Sequence, residues 1–287
     1  MALTALSCDE QCIIFSQLCN VLDTRIAVAF SSASSELQAL TQAQRQQLKA
    51  DHEVAAALCH KLGLRSCKAL REQKVVICYI RGLSATDLAT LGTLGSVLPA
   101  LETLHVSEPA AGPDGVQRLA EGLGAGAMPA VTVLALYGMY VGDAGASALA
   151  AALGQGALPR LKHLNLCNAA IGDVGLVALA PALRRLPALE IIELCYNMFG
   201  DEGLAALVAP PPSPAGALSP PTGVLVKLKK LNLERTQITD AGCAALASVL
   251  DSGTLPALKE LNLYDIPAAG AATAALIARF HPYSGTD

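Results

Sequence analysis

The chain has 287 residues and a formal net charge of −4, and 53% of its residues are hydrophobic, 15% charged and only 3% aromatic. Its mean hydropathy of +0.45 would suit a membrane protein, but a spanning helix needs roughly 20 consecutive apolar residues. Charged residues, Gly or Pro interrupt every leucine-rich stretch before that length, so we expect no membrane partner. Asp9 and Glu10 stand where a secretory signal would continue with apolar residues. We therefore expect a soluble, cytoplasmic protein, with the nucleus as the alternative location.

Several classes of function lack their sequence signals. The nine Cys include no C-x-x-C pair, so neither a zinc ribbon nor a small disulfide scaffold is predicted. The weak negative charge, without a basic patch, argues against nucleic acid as a partner. The phosphate-loop, zinc-protease and nucleophile-elbow motifs are missing. We therefore predict a protein that is not an enzyme and that uses no cofactor and no metal ion.

Residues 1–72 contain no repeat and have the pattern of helices. Apolar residues recur at helical spacing between positions 9 and 22, and a second apolar run follows at 26–30. A capping-box pattern at 41–44 predicts the start of a further helix, and Gly63 is expected to end it. We therefore predict a helical N-terminal segment.

From residue 73 onward, a segment of the form L-x-x-L-x-L recurs along the chain. Its copies begin at Leu101, Val131, Leu161, Leu189, Leu228 and Leu258, and a weaker copy begins at Gln73. Apolar and variable residues alternate within each copy. This alternation predicts a short strand with one buried face.

A turn and a helical pattern follow each strand segment. The turns contain Gly-Asp or Thr-Asp, and their aspartates are Asp143, Asp173, Asp201 and Asp240. An Asp at this place is expected to cap the helix that follows it by accepting backbone hydrogen bonds. Leu-Pro or Met-Pro ends several of these helical runs, because Pro does not continue a helix. Strand, helix and parallel strand in succession predict a curved solenoid.

These units resemble leucine-rich repeats of the ribonuclease-inhibitor type, which have about 28 or 29 residues and a helix on the outer side. The resemblance covers residues 73 to 276 in about seven units. It implies an α/β fold over residues 73–287: a leucine-rich repeat solenoid with a curved parallel sheet inside and helices outside. The family usually has an Asn in the ninth slot of the unit, where it supports the turn, and here only Asn197 occupies that slot.

One unit is longer than the others, and its excess lies at 209–223. This stretch holds six of the 16 prolines of the chain. Prolines at this density favour polyproline II, so the helix after Asp201 should end early and a loop should follow. A tolerated insertion is the favoured interpretation, and a docking motif for a proline-binding module is the alternative.

Residues 5 to about 45 resemble an F-box, a small helical module. The resemblance rests on Leu6, Ile13, Ile14, Phe15 and Leu18, followed by a polar turn and the apolar run at 26–30. In that family the helices bind the Skp adaptor of cullin-RING ubiquitin ligases, and the attached repeats select the substrate. The resemblance thus implies that these five residues bind the adaptor. The alternative is that residues 1–72 only cap the solenoid, because a terminal repeat needs a polar cover.

The third, fifth and seventh positions of each strand segment should point out of the concave sheet, since the fourth and sixth are buried. The candidate binding residues there are His105, His163, Asn165, Glu193, Asn232 and Asn262, and at the C-terminal rim of the strands Tyr79, Tyr137, Tyr196, Glu234, Arg235 and Tyr264. Tyr and Arg among charged neighbours are typical of protein-binding hot spots. The alternative is that the tyrosines only shield the rim.

Cys167 and Cys195 occupy the same slot of neighbouring strand segments. Their Cα atoms should lie about 4.8 Å apart, which is close enough for a disulfide. In a reducing cytosol they would stay thiols, and a redox-sensitive pair is the alternative hypothesis. The sequence as a whole predicts a non-catalytic scaffold that binds a protein partner of unknown identity. The alternative is an F-box-type substrate receptor with the Skp adaptor and a cullin as partners.

Overall fold

The computed structural model describes residues 6–112, 114–209 and 225–280. Five helices precede the sheet: α1 (Cys8–Leu18), α2 (Arg25–Ser31), α3 (Ser35–Leu40), α4 (Gln42–Lys61) and α5 (Cys67–Glu72). Strands and helices then alternate: β1 (Val75–Tyr79), α6 (Ala85–Thr93), β2 (Thr103–Ser107), α7 (Asp114–Gly122), β3 (Val133–Ala135), α8 (Gly142–Gly154), β4 (His163–Asn165), α9 (Asp173–Arg185), β5 (Ile191–Glu193), α10 (Asp201–Val208), β6 (Lys230–Asn232), α11 (Asp240–Asp251), β7 (Glu260–Asn262) and α12 (Ala271–Phe280). Within these described ranges no helix is long and apolar enough to cross a membrane.

The strands from β1 to β7 lie in one parallel sheet in chain order. The pairing follows the repeat, and the fourth positions that oppose one another are Leu104, Leu134, Leu164, Ile192, Leu231 and Leu261. These side chains are buried, as are the apolar side chains two positions further on. The predicted α/β leucine-rich repeat solenoid is therefore confirmed.

Leucine dominates the core because each layer of the solenoid is thin. Leu164 and Leu166 of the β4 unit are fully buried in the same cluster as Leu176 and Leu179 of α9. Burial of one such side chain stabilises the fold by about 1.5–3 kcal/mol. Since every unit repeats this layer, the high mean hydropathy and the small number of aromatic residues both follow from the repeat.

The N-terminal helices contribute to two apolar clusters. The smaller cluster consists of Phe15, Ala27 and Leu48. Leu58 of α4 and Leu70 of α5 belong instead to the main core of the repeats. A salt bridge of 2.6 Å between Nζ of Lys61 and Oδ2 of Asp87 also connects α4 to α6. The end of the N-terminal segment is thus packed on the first repeat.

The prediction of a capping box at the start of α4 is wrong. The Thr41 side chain makes no bond to the start of α4, and its hydroxyl donates to the carbonyl of Leu37, 2.7 Å away in α3. Capping boxes lie instead at Ser7, before α1, and at Ser84, before α6. Gly63 follows α4 as predicted, with a φ of 75° that suits glycine.

The turn aspartates also differ from the prediction. Oδ1 of Asp143 accepts backbone hydrogen bonds from Gly172 (2.8 Å) and Gly175 (2.9 Å), at the start of α9 in the next unit. Equivalent bonds to the following unit are made by Asp173, Asp201 and Asp240. Each aspartate therefore caps the helix of the next repeat rather than its own. These bonds join successive units along the outer side of the solenoid.

The proline-rich insertion predicted at 209–223 lies outside the described residues, apart from Ala209. Helix α10, just before it, has 8 residues whereas α9 has 13, in line with a helix that ends early. Nη1 of Arg184 donates to the carbonyl oxygens of Ala206 and Ala209. The guanidinium thus satisfies carbonyl groups at the C-terminus of α10 that have no partner within the helix.

Candidate protein-binding surface

The predicted surface residues of the strands form two rows on the exposed face of the sheet. The first row is Val75, Thr103, Val133, His163, Ile191, Lys230 and Glu260, and the second is Ile77, His105, Ala135, Asn165, Glu193, Asn232 and Asn262. Each residue lies directly opposite the next because the strands pair in register. Candidate residues that are far apart in the sequence are therefore neighbours on one face, which we call the concave face.

The asparagines of the second row also have a structural role, which was not predicted. Oδ1 of Asn165, Asn232 and Asn262 accepts a hydrogen bond from the backbone N–H two residues further on, at 2.9 to 3.1 Å. This Asx-turn ends each strand and starts the turn. The Asn-Leu pair that recurs at the end of these strand segments is the sequence pattern that indicates such a turn. The amide nitrogens remain on the concave face.

Glu193 is the centre of a polar cluster on this face. Its carboxylate accepts a hydrogen bond from Nδ2 of Asn165 at 2.6 Å and lies 3.3 Å from Nζ of Lys230. Nε2 of His163 is 3.5 Å away, an electrostatic contact at the outer limit of a hydrogen bond. The nearby His163 ring lowers the pKa of Glu193, Lys230 lowers it further, and burial opposes both. The carboxylate is thus held ionised at the middle of the sheet.

The other histidine of the concave face has a different environment. Partial burial lowers the pKa of His105, and the charge of His163 adds to this effect. Nδ1 of His105 lies 3.5 Å from the hydroxyl of Tyr79. The β1–β3 side of the face is therefore neutral, and the β4–β7 side carries the charges.

At the C-terminal ends of the later strands, an arginine connects three successive units. The Arg235 guanidinium lies 5.0 Å from the centre of the Tyr196 ring, and its Nη1 donates to the Tyr196 hydroxyl at 3.2 Å. Its Nε donates to Oδ2 of Asp265 at 2.7 Å. A cation over an aromatic face and a paired carboxylate both restrict the side chain. Tyr196 and Arg235 are thus held in place by contacts within the protein itself.

The four tyrosines predicted at the rim are exposed in the structure. The exposed fraction is 55% for Tyr79, 51% for Tyr137, 44% for Tyr196 and 67% for Tyr264. We call these four residues the tyrosine rim. Three further exposed residues beside them were missed by the sequence analysis: Ile80, Tyr140 and Met198. Ile80 stands at the eighth position of its unit, as Tyr196 and Arg235 do, and Tyr140 and Met198 stand at the tenth position. A search of every unit as far as the tenth position would have found them.

The eighth position of the unit has a left-handed backbone in most repeats. Positive φ angles occur there at Ile80, Gly138, Asn168, Tyr196, Arg235 and Asp265. Gly, Asn and Asp tolerate this conformation, whereas it costs other residues roughly 1–2 kcal/mol. Ile80, Tyr196 and Arg235 thus present large side chains on the rim at a conformational cost.

Cys167 and Cys195 are joined as a disulfide in the structure, with their Cα atoms 4.6 Å apart. This separation agrees with the value expected for equivalent slots on adjacent strands. Both side chains are nearly buried. The pair follows β4 and β5, so it links the two units at the middle of the sheet.

The five residues predicted to bind an adaptor have different environments. Leu6, Ile14 and Leu18 are half-buried, and Ile13 is 58% exposed. Phe15 is fully buried. The prediction is therefore wrong for Phe15, because this side chain fills the small N-terminal core and cannot contact a partner while the segment is folded.

The described residues contain no group of three or more His, Cys, Asp or Glu side chains that could hold a metal ion. Glu193 and His163 are partly buried on the concave face, where the Glu193 carboxylate contacts both the His163 ring and the Lys230 ammonium. The chemistry that this surface offers is hydrogen bonding, charge and apolar contact.

The chain is similar to leucine-rich repeat sequences in two places. Residues 158–180 and 224–247 match a family described as Leucine Rich repeat. A comparison with curated proteins found no match.

Several solved structures are similar to this chain. Actin-binding site 2 of leiomodin-1 shares 11% identity over 68% of this chain and 88% of that chain, with a TM-score of 0.36. Internalin C2 of Listeria monocytogenes shares 18% identity over 79% of this chain and 88% of its own, with a TM-score of 0.41. Internalin InlF of the same organism shares 14% identity over 64% and 61%, with a TM-score of 0.31.

Proposed function

We propose that this protein is a non-catalytic scaffold that binds another protein through the concave face and the tyrosine rim. The observation that supports this most directly is the row of large, exposed side chains along one edge of the sheet. Aromatic and Arg side chains contribute most of the binding energy at protein interfaces, because burying them removes much apolar surface from water. A leucine-rich repeat domain is consistent with this role.

Two further observations favour binding over simple shielding of the rim. A tyrosine that only covered its strand would be largely buried, whereas Tyr137 and Tyr264 are more than half exposed. Ile80, Tyr196 and Arg235 have a left-handed backbone, a conformation that costs less free energy with Gly, Asn or Asp at that position. Residues with an unfavourable backbone conformation are found mostly at functional sites.

The double variant Tyr137→Ala with Tyr264→Ala tests this proposal. Proteins captured from the native cell by the variant and by the original chain are compared by quantitative mass spectrometry. We expect at least one specific partner to be lost tenfold or more, since removal of two aromatic contacts costs about 2 kcal/mol or more.

The matched control changes two exposed apolar residues on the outer helices, Val174→Ala with Val177→Ala in α9. This control should keep every partner, and both variants should unfold at the same urea concentration as the original chain. The proposal fails if every captured protein binds the tyrosine variant as well as it binds the control.

We also infer that the repeats are of the ribonuclease-inhibitor type. The support is the outer helix of each unit, which has between 8 and 13 residues from α6 to α12. Shorter helical turns would indicate another class of leucine-rich repeat.

A second candidate is an F-box-type substrate receptor, which would bind the Skp adaptor through the N-terminal helices. The observation in its favour is the exposure of Ile13 and Ile26, at 58% and 61%, on α1 and α2. Ile13→Glu with Ile26→Glu is expected to abolish co-purification of Skp, while the control Val54→Glu in α4 retains it. Absence of Skp from complexes of the original chain excludes this candidate and leaves the first one intact.

A further inference from the structure

A group of cations lies at the N-terminal ends of the later strands, although the sequence indicated no basic patch. The group, which we call the basic edge, consists of Arg160, Lys162, Lys227, Lys229 and Lys259, all of them exposed. Within the described residues, Glu190 is the one carboxylate within 4.0 Å of these side chains, with its Oε2 2.6 Å from Nζ of Lys229. The expectation that the protein has no basic patch is therefore wrong. The cations come from three units, and they are brought together only when the units stack.

The backbone ladder of the sheet holds these residues side by side. The N–H of Glu190 donates to the carbonyl of Lys162 at 2.7 Å, that of Lys229 to Glu190 at 2.7 Å, and that of Lys259 to Lys229 at 2.8 Å. Lys229 and Lys259 are on adjacent strands about 4.8 Å apart, where like charges repel each other, and Lys162 is separated from Lys229 by the strand of Glu190. The hydrogen bond from Lys229 and the charges around it lower the pKa of Glu190. Three of the five cations, Lys162, Lys227 and Lys229, thus act on this one carboxylate, and among the described residues Arg160 and Lys259 have no carboxylate within 4.0 Å.

The positive charge is confined to this part of the edge. At the earlier strands the equivalent positions hold Lys74 and Glu102, which pair at 2.9 Å, and then the uncharged Thr132. Beyond the basic edge, the concave face carries the carboxylate of Glu260, which directly follows Lys259 and lies opposite Lys230. The carboxylates of Glu193 and Glu234 lie three to five residues further on than Glu190 and Lys229. That separation is about 10–17 Å, longer than the screening length of about 8 Å at physiological salt, so Glu193 and Glu234 neutralise the basic edge only weakly.

This arrangement favours a protein segment over a uniform polyanion. A nucleic acid crossing the sheet would bring its phosphates near the carboxylates of the concave face, where they are repelled. A protein segment can place Asp and Glu at the edge and other residues across the face. We propose that the partner of the concave face carries an acidic segment, rich in Asp or Glu, that docks on the basic edge. This inference rests on the scaffold function proposed above and adds the chemistry of the partner.

The test uses a fluorescently labelled octaglutamate peptide and the full chain, with binding measured by fluorescence anisotropy at about 0.05 M and 0.2 M salt. The variant Lys229→Glu with Lys259→Glu is compared with Lys49→Glu with Lys68→Glu. The control lysines are also exposed, at 80% and 72%, and lie on α4 and α5, so net charge changes equally. We expect the peptide affinity to fall at least tenfold in the edge variant and less than twofold in the control.

If the charge-reversed protein does not fold, the variant Lys229→Gln with Lys259→Gln replaces it, because it removes the two charges without reversing them. We then expect a threefold loss of affinity for octaglutamate. Three outcomes overturn the inference: no saturable binding of octaglutamate, an equal loss in the control, or tighter binding of an oligonucleotide with eight phosphates. The Tyr137→Ala, Tyr264→Ala variant should bind octaglutamate normally. A failure of the acidic-segment inference is therefore distinguishable from a failure of the scaffold proposal, which is tested by that variant.

Discussion

Asn197 connects two neighbouring turns through one buried side chain. Its Oδ1 accepts backbone hydrogen bonds from Ala169 and Ile171, and its Nδ2 donates to the carbonyl groups of Leu166 and Leu194. A buried backbone group that loses its partner costs about 1–3 kcal/mol. The Asn197 amide makes hydrogen bonds to these four backbone groups, so it contributes more to the free energy of unfolding than a single hydrogen bond does.

Asn197→Ala is therefore expected to lower the free energy of unfolding by about 2–4 kcal/mol. Urea unfolding followed by circular dichroism measures the change. Gln237→Ala is the control, because its side chain is exposed in the next unit, and it should change stability by less than about 0.5 kcal/mol. A loss below about 1 kcal/mol for Asn197→Ala would contradict this account of the turns.

The Cys167–Cys195 disulfide leads to a second prediction for individual residues. Mass spectrometry without reductant should find the two peptides cross-linked. Because the two residues are 28 apart in the sequence, reduction should lower the free energy of unfolding by about 3 kcal/mol. Cys167→Ser should not respond to reductant, whereas Cys8→Ser, at an exposed free cysteine, should respond normally. Complete labelling of both thiols under oxidising conditions would exclude the bond.

Among the elements, the outer helices depend on one another through the turn aspartates. Asp143 caps α9 from the preceding unit, and a Cβ on Gly175 would lie only 2.5 Å from its Oδ1. Any side chain there displaces the carboxylate and removes its two hydrogen bonds. The glycine two residues after the turn aspartate is thus required by the neighbouring unit, not by its own backbone.

Gly175→Ala is expected to destabilise the protein by about 1–3 kcal/mol, through the lost cap and the close contact. Gly154→Ala, at the end of α8 with no atom near the added Cβ, should be neutral or stabilising by up to about 1 kcal/mol, because alanine favours the helix. Thermal unfolding of the two variants gives the comparison. If both substitutions shift the unfolding temperature in the same direction and by the same amount, the cap between units is not important.

At the scale of the whole molecule, the strands and helices could be predicted because each leaves a period in the sequence. Leu164 and Leu166 alternate with polar residues, and the α9 residues recur at helical spacing. The cap made by Asp143 could not be predicted in this way, because it depends on how the turn of one unit meets the helix of the next. The basic edge was missed for another reason: Lys162, Lys229 and Lys259 share the second slot of their units, and they stand out only when equivalent slots of successive units are compared.

The first repeat also depends on the helices before it. Leu58 and Leu70 are almost completely buried in the main core, together with Val76 and Leu83 of the first repeat. Phe15, in contrast, belongs to the separate small cluster. Removal of α4 and α5 would therefore expose the apolar end of the solenoid, whereas removal of α1 to α3 would mainly affect the small cluster.

Two truncations test this difference. Deletion of residues 1–40 is expected to leave a chain that unfolds cooperatively, with a loss of about 2–3 kcal/mol for the few apolar side chains that become exposed. Deletion of residues 1–72 should cost at least about 4 kcal/mol, because two buried leucines and the surfaces they cover are lost together. It should also increase the binding of a dye that detects exposed apolar surface. Equal stability of the two truncated chains would mean that α4 and α5 are not part of the solenoid core, and the N-terminal segment would then be an independent module.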